Sequence, residues 1–168
     1  MKRILILCSM LAAGMGARAD GFDPGTAVQL RSAYSGAGQC LDIVNAGAHD
    51  TPRMSACAGY SGQQWQVEPD PDYPEFVVLR TDFTGADACL DIVNDGANDK
   101  LRMSACAGNS GQLWRIAPSG RPQRWQLRAL FTGQDKCLDL VLENGQMRPA
   151  MSRCGSHAGQ QWSLGAAL

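Results

Sequence analysis

One 26-residue pattern occurs three times in this 168-residue chain, and this repetition constrains the fold more than any other feature. The copies run from Cys40 to Trp65, from Cys89 to Trp114 and from Cys137 to Trp162, and they align without gaps. The first two copies agree at 20 positions, and successive copies start 49 and 48 residues apart. A period of this length indicates an architecture built from repeated supersecondary units.

The similarity extends upstream of each copy, where a Leu-Arg pair, an aromatic residue and a glycine recur at fixed spacing. The recurring aromatic residues are Tyr34, Phe83 and Phe131. Short apolar pieces alternate with polar residues as half-buried strands do, and stretches rich in Gly, Asn and Asp separate them. We therefore predict four strands per unit, beginning in the first copy near Val28, Leu41, Arg53 and Gln64.

The three units span about residues 26–68, 75–117 and 123–168, within one domain over residues 20–168. Three units are too few to close a propeller, and a solenoid would need atypical terminal caps. The pattern predicts an all-β fold, the β-trefoil. Its three repeats supply about twelve strands, which form a pseudo-threefold barrel with a hairpin cap.

The chain has seven cysteines, of which one, Cys8, lies near the amino terminus. The other six allow 15 pairings in principle, but the repeat favours one disulfide within each unit. Each of these pairs has the same sequence separation: Cys40–Cys57, Cys89–Cys106 and Cys137–Cys154. Closing a loop of this size stabilises a fold by about 3 kcal/mol.

Residues 1–19 have the features of a secretory signal peptide: two early basic residues, a short apolar run and an Ala17-Arg18-Ala19 cleavage site. With paired cysteines, this predicts a secreted or periplasmic protein. Without that segment the net charge is −4, which argues against nucleic-acid binding. The apolar run is too short to span a membrane.

All three units contain C-L-D-[IL]-V, followed by a second Cys and then by Q-x-W. This pattern resembles that of the ricin-B-type trefoil lectins. The resemblance implies a shallow sugar pocket in each unit and a glycan or glycoprotein ligand. In the family, one Asp per unit accepts hydrogen bonds from sugar hydroxyls, and the resemblance assigns this role to Asp42, Asp91 and Asp139. The family also has a Gln that helps to hold this Asp, and the resemblance assigns that role to Gln63, Gln112 and Gln160.

The chain departs from the family pattern at two positions in every unit. The family's stacking aromatic is replaced by Ser55, Ser104 and Ser152, and an Asn before the Gln is replaced by Gly62, Gly111 and Gly159. The candidates that could compensate are two asparagines beyond the Asp, Asn45 and Asn94, and two stacking residues, Tyr60 and His157. Units 1 and 2 keep the Asp–Asn pair, so we expect the better sites there.

An alternative role for the three aspartates is to satisfy backbone amides of the hairpin turns. No hydrolase or metalloprotease motif is present, and neither the cysteine spacing nor the acidic turns match a metal site. The sequence thus predicts a carbohydrate-binding module without catalysis, cofactor or metal. The alternative is a protein-interaction trefoil that acts as an accessory or cell-binding subunit of a secreted toxin or enzyme complex.

Overall fold

The computed structural model describes residues 26–44 and 51–166 of the chain. Twelve β-strands and two short 3₁₀ turns account for the regular structure in these two segments. The strands are β1 Val28–Ser32, β2 Gln39–Ile43, β3 Pro52–Ala56, β4 Trp65–Pro69, β5 Val77–Thr81, β6 Ala88–Ile92, β7 Leu101–Ala105, β8 Trp114–Pro118, β9 Trp125–Ala129, β10 Lys136–Glu143, β11 Gln146–Arg153 and β12 Trp162–Ala166. The predicted signal peptide, residues 1–19, and the predicted site residue Asn45 lie outside the described segments.

Six strands form a closed barrel, in the order β1-β12-β9-β8-β5-β4. Each repeat contributes its first and fourth strand to this barrel. The chain closes on itself because β1 pairs with β12 along its whole length, from Val28 opposite Ala166 to Ser32 opposite Trp162. Closure leaves the barrel without an unpaired edge.

The second and third strands of each repeat form an antiparallel hairpin, and the three hairpins β2–β3, β6–β7 and β10–β11 lie outside the barrel sheet. The third hairpin is longer, with eight residues per strand, because Asn144 and Gly145 form its two-residue turn with φ of 51° and 77°. Asn-Gly is the preferred pair for such a turn. The predicted β-trefoil, with a barrel and a hairpin cap, is therefore confirmed.

The core repeats with the sequence. Trp65, Trp114 and Trp162 are fully buried. Each indole N–H donates, at 2.8 to 2.9 Å, to the carbonyl of a buried leucine in the hairpin of the same repeat. These acceptors are the carbonyls of Leu41, Leu90 and Leu138. An equivalent indole in each repeat thus fills the interior and joins the barrel to the hairpin above it.

The three predicted disulfides are confirmed: Cys40–Cys57, Cys89–Cys106 and Cys137–Cys154. Each one joins the start of the hairpin's first strand to the residue after its second strand. The first cysteine of each pair is fully buried. Each hairpin is therefore closed covalently at the end where it meets the barrel.

Candidate functional site

The aspartate of each repeat is held by two side chains of the same repeat. In the first repeat, Asp42 Oδ2 accepts from the Ser55 hydroxyl at 2.5 Å and from Gln63 Nε2 at 3.0 Å. In the second, Asp91 Oδ2 accepts from Ser104 at 2.5 Å and from Gln112 at 3.2 Å. The third repeat has the same pair of bonds from Ser152 and Gln160 to Asp139.

The glutamine is itself fixed by the backbone. Gln63 Oε1 accepts from the amide of Ala58 at 2.7 Å, and its Nε2 also donates to the carbonyl of Ala56 at 2.9 Å. Gln112 and Gln160 make the equivalent bonds in their own repeats. Each glutamine therefore links the end of the hairpin to the following loop and presents an N–H to the aspartate.

The serines at the position of the family's stacking aromatic have a defined role here. Ser55, Ser104 and Ser152 are the hydroxyl donors to the three aspartates. Sequence reasoning noted these serines only as a missing aromatic. The Ser–Asp contact could have been predicted from the sequence, because Asp, Ser and Gln recur together in all three units.

The glycine before each glutamine is required by close packing. A Cβ atom on Gly62 would overlap the carbonyl oxygen of Ile43 and the Asp42 carboxylate. Gly111 and Gly159 lie in the same way against Oδ1 of Asp91 and of Asp139. The asparagine of the family pattern therefore has no room at this position.

The three aspartates differ in exposure. Asp42 is 3% and Asp139 7% exposed, whereas Asp91 is only partly buried. A carboxylate that is buried and already accepts two hydrogen bonds offers little to a ligand. Within the described segments, the hydrogen bonds to these three carboxylates come from Ser and Gln side chains, two per repeat, so the carboxylates serve a side-chain network. Asp91 is the one of the three with the most access to solvent.

A cavity of about 490 Å³ lies beside Asp91. Its lining combines Asp91 and Asn94 from the hairpin, Arg102 from β7, Asn109 from the following loop, and Phe131. Arg102 lies opposite Asp91 in the register of β6 and β7, but it forms no ion pair among the described residues. The cavity thus presents a carboxylate acceptor, a guanidinium donor, amides and an aromatic ring.

The turn that carries Asn94 contains an exposed ion pair. Lys100 Nζ lies 2.8 Å from Asp95 Oδ2, and the Asn98 amide donates to Asp95 Oδ1 at 3.0 Å. The hydrogen bond from Lys100, followed by that from Asn98, lowers the pKa of Asp95, and the same carboxylate raises the pKa of Lys100. The Asp95 carboxylate therefore bonds to two later residues of the β6–β7 turn, Asn98 and Lys100.

The other two repeats present different side chains. In the third, Leu142 takes the position of Asn94 and is 61% exposed, and Ala150 takes the position of Arg102 opposite Asp139. In the first, Arg53 lies opposite Asp42. The second repeat thus has a more polar lining than the third, and it shares the Asp–Arg pair with the first.

The two candidate stacking residues lie at the start of the 3₁₀ turns Ser61–Gln63 and Ala158–Gln160. The Tyr60 side chain is 67% exposed. His157 is exposed as well, and its imidazole lies against Gly155, where an added Cβ would be 3.0 Å from Nε2. Both rings lie on the loop that carries the glycine and glutamine, and the second repeat has Asn109 at this position.

Among residues 26–44 and 51–166, no group of three or more His, Cys, Asp or Glu side chains could hold a metal ion. In the same part of the chain, no helix has the length and apolar character needed to cross a membrane.

The comparisons with known proteins agree with this geometry. The Ricin-type beta-trefoil lectin domain matches residues 26–162. Among solved structures, the designed 3-fold symmetric protein ThreeFoil has a TM-score of 0.68 and 25% identity, and the match covers 84% of this chain and 99% of that one. No curated protein sequence gives a significant match.

Two natural proteins share the fold. The Macrolepiota procera ricin B-like lectin, solved in complex with lactose, has a TM-score of 0.67 and 15% identity over 86% of this chain and 98% of that one. A mosquitocidal holotoxin has a TM-score of 0.72 and 16% identity over 88% of this chain. The match covers only 18% of the holotoxin chain.

A six-stranded barrel capped by three disulfide-closed hairpins defines a β-trefoil protein. Because the domain match spans residues 26–162, this chain belongs to the ricin-type β-trefoil lectin domain family.

Proposed function

We propose that this protein is an exported carbohydrate-binding module with no catalytic activity of its own, and that its principal site is the cavity beside Asp91. The observation that carries this proposal is the cavity's mixed lining of carboxylate, guanidinium, amide and aromatic groups. Sugar hydroxyls both donate and accept hydrogen bonds, so they suit a site that offers an acceptor and donors together.

Asp91 and Arg102 are the two charged groups of this site. Ser104 and Gln112 hold Asp91 through Oδ2, which keeps the carboxylate from turning toward Arg102. The two charged groups therefore stay apart across the hairpin, where each one can bind a different sugar hydroxyl. Hydrogen bonds to charged groups are worth about 1.5–3 kcal/mol, more than neutral ones.

A lectin role also agrees with the family and with one relative in particular. The Macrolepiota procera protein, which shares the fold over nearly its whole length, was solved with lactose. Lactose and a broad glycan array are therefore the first probes. Family membership alone does not define the sugar, because this chain has serine and glycine at two positions of the family's pocket.

The test compares Asp91→Asn with wild-type protein on lactose resin and on the glycan array. We expect Asp91→Asn to weaken the binding of retained glycans by at least about tenfold, because the charged acceptor is lost. The matched control is Asp87→Asn, an exposed aspartate outside the cavity. Retention of wild-type protein on no glycan surface would remove this proposal.

The proposal that the protein does not cleave the sugars it binds is tested separately. Among the described residues that line the cavity, Asp91 is the one carboxylate, whereas most glycoside hydrolases use a pair of carboxyl groups. Any retained oligosaccharide should be recovered intact after prolonged incubation with the protein. Chromatographic detection of cleaved sugar, lost in Asp91→Asn, would contradict this part of the proposal.

Export is supported by the three disulfides, since such bonds persist in oxidising compartments. Expression of the full chain in a bacterial host, followed by fractionation and amino-terminal sequencing, checks it. We expect a mature protein that begins at Asp20, in the periplasm or the medium. A cytoplasmic protein that retains residues 1–19 would contradict the proposal.

A second candidate function is that of an accessory or cell-binding subunit of a larger toxin or enzyme assembly. One observation favours it: the fold of this chain matches a segment that makes up only 18% of a mosquitocidal holotoxin. Affinity capture from the native secretome distinguishes the two candidates. A stable protein partner that stays bound in excess lactose would favour the accessory role.

A further inference from the structure

We propose that the carbohydrate site of the second repeat takes its stacking surface from the third repeat, through the ring of Phe131. This inference rests on the proposed function and adds the residue that would contact the apolar face of the sugar. Phe131 follows β9, so in sequence it belongs to the third repeat, yet it lines the same cavity as Asp91.

Backbone hydrogen bonds fix Phe131 at this position. Its amide donates to the carbonyl of Ser110 at 3.0 Å, and the amide of Leu130 donates to the carbonyl of Leu113 at 2.8 Å. Ser110 itself lines the cavity. The two bonds hold the segment after β9 directly against the loop of the preceding repeat.

The ring of Phe131 is half-buried and packs against the hydrophobic core. A ring held in this way is already ordered before a ligand arrives, so a contact with it costs little conformational entropy. Because Phe131 also lines the cavity, we infer that the exposed part of its ring faces it. Among the described residues that line this cavity, Phe131 is the one aromatic.

The chemistry of a sugar explains why such a ring is needed. A pyranose presents hydroxyl groups at its edge and C–H bonds on its faces, and the electron-rich face of an aromatic ring suits those C–H bonds. In this chain the usual position of the stacking aromatic holds Ser104, whose hydroxyl is bound to Asp91. An aromatic contact in this cavity must therefore come from elsewhere in the chain.

The same junction occurs between the first and second repeats. The amide of Phe83 donates to the carbonyl of Ser61 at 3.2 Å, as Phe131 does to Ser110. At the closure of the barrel, the amide of Ala33 donates to the carbonyl of Gln161 at 2.9 Å, as Leu130 does to Leu113, whereas the amide of Tyr34 donates to the Ser32 hydroxyl. The loops of the first two repeats thus each have an aromatic of the following repeat bonded beside them.

The test is a lactose titration followed by NMR on the full mature protein with its disulfides intact. If lactose does not bind, the strongest glycan of the array replaces it as the probe. Three variants are compared: Phe131→Leu, which keeps an apolar side chain without a ring, Phe131→Tyr, which keeps the ring, and Phe76→Leu. Phe76 is a buried phenylalanine outside the cavity and controls for lost packing.

We expect Phe131→Leu to weaken binding about five- to tenfold, while Phe131→Tyr retains it within about twofold. Phe76→Leu should leave the affinity unchanged. Nuclear Overhauser contacts should join the Phe131 ring protons to C–H protons of the sugar, a signal that a purely structural role would not produce.

Wild-type affinity in a folded Phe131→Leu protein, or the absence of contacts between ring and sugar, would overturn this inference and leave the lectin function standing. The failure of wild-type protein to bind any array glycan would instead remove the proposed function and this inference with it. The two failures are therefore distinguishable. Thermal unfolding of each variant confirms that the fold is intact.

Discussion

Asp42 has the most deeply buried carboxylate in the part of the chain that the structure describes. An ionised group at 3% exposure destabilises a fold unless hydrogen bonds replace its lost water. The Ser55 hydroxyl and the Gln63 amide supply those bonds. The carboxylate of the family's sugar site therefore also serves, in this chain, to hold the hairpin on the loop below it.

We expect Ser55→Ala to lower the free energy of unfolding by about 1–3 kcal/mol, because it leaves a buried carboxylate oxygen with one donor fewer. Urea unfolding with the disulfides oxidised measures this change. Ser61→Ala is the control, since Ser61 is exposed and its known bonds are made by its backbone carbonyl. Equal stability of the two variants would show that the network contributes nothing.

Gly62 supports the same network by having no side chain. We expect Gly62→Ala to destabilise the protein by about 1–3 kcal/mol, because the added Cβ would push against the rigid carbonyl of Ile43. Gly38→Ala is the matched control, since nothing lies within 4 Å of its Cβ position. Differential scanning calorimetry on both variants checks the prediction, and a neutral Gly62→Ala would contradict it.

At the scale of single residues, the sequence predicts the structural roles of some residues and not of others. Asp42, Gln63 and the cysteines stand out because they recur at fixed spacing. The donor role of Ser55 depends on the register of β2 and β3, in which Ser55 lies opposite Cys40 and diagonal to Asp42. The need for Gly62 depends on a close approach between a loop and a strand, which no local pattern encodes.

The hairpins are the elements in which the three repeats differ most. The strands begin close to the predicted positions: in the first repeat at Val28, Gln39, Pro52 and Trp65. The longer third hairpin was not predicted, although its Asn144-Gly145 turn is visible in the sequence. The second hairpin instead has a wider turn, within which Asp95 pairs with Lys100.

The turn of the second hairpin should respond to acid. The Lys100 hydrogen bond keeps the pKa of Asp95 below its ordinary value. A carboxyl with a depressed pKa stabilises the fold above its unfolded pKa, and this contribution is lost as the pH falls through the folded pKa. We expect Lys100→Met to raise the pKa of Asp95 toward the ordinary range, measured by NMR titration of its carboxyl carbon.

Glu143 is an internal reference for that experiment. Its pKa is also lowered, by the hydrogen bond from Arg148. Since Arg148 is unchanged in Lys100→Met, the pKa of Glu143 should remain low and change only slightly, through the weaker charge interaction with Lys100. If the pKa of Asp95 stays low in the variant, the hydrogen bond from the Asn98 amide, and not the one from Lys100, is its main cause.

The whole molecule combines a symmetric interior with an asymmetric surface. Each repeat has the same indole-to-carbonyl bond, the same disulfide and the same Asp–Ser–Gln network. The sequence predicts this interior well, because barrel closure requires similar residues at equivalent positions. The groups that surround each aspartate are under no such requirement, and they differ among the three repeats.

This asymmetry predicts unequal sites. The second repeat has the most accessible aspartate and the donor Arg102, whereas the third has Leu142 and Ala150 at the equivalent positions of its lining and an aspartate only 7% exposed. We expect lactose, or the strongest array glycan, to shift the backbone amides of the second repeat at the lowest concentration. Asp91→Asn should abolish that first phase of binding.

Asp139→Asn should leave that first phase intact, because the third repeat lacks the polar lining that a sugar would use. Calorimetry should then give one principal site per chain, not three equivalent ones, although the fold repeats three times. Three sites of equal affinity, or equal losses on Asp91→Asn and Asp139→Asn, would mean that the shared network determines binding. The side chains that differ among the repeats would then have no part in ligand selection.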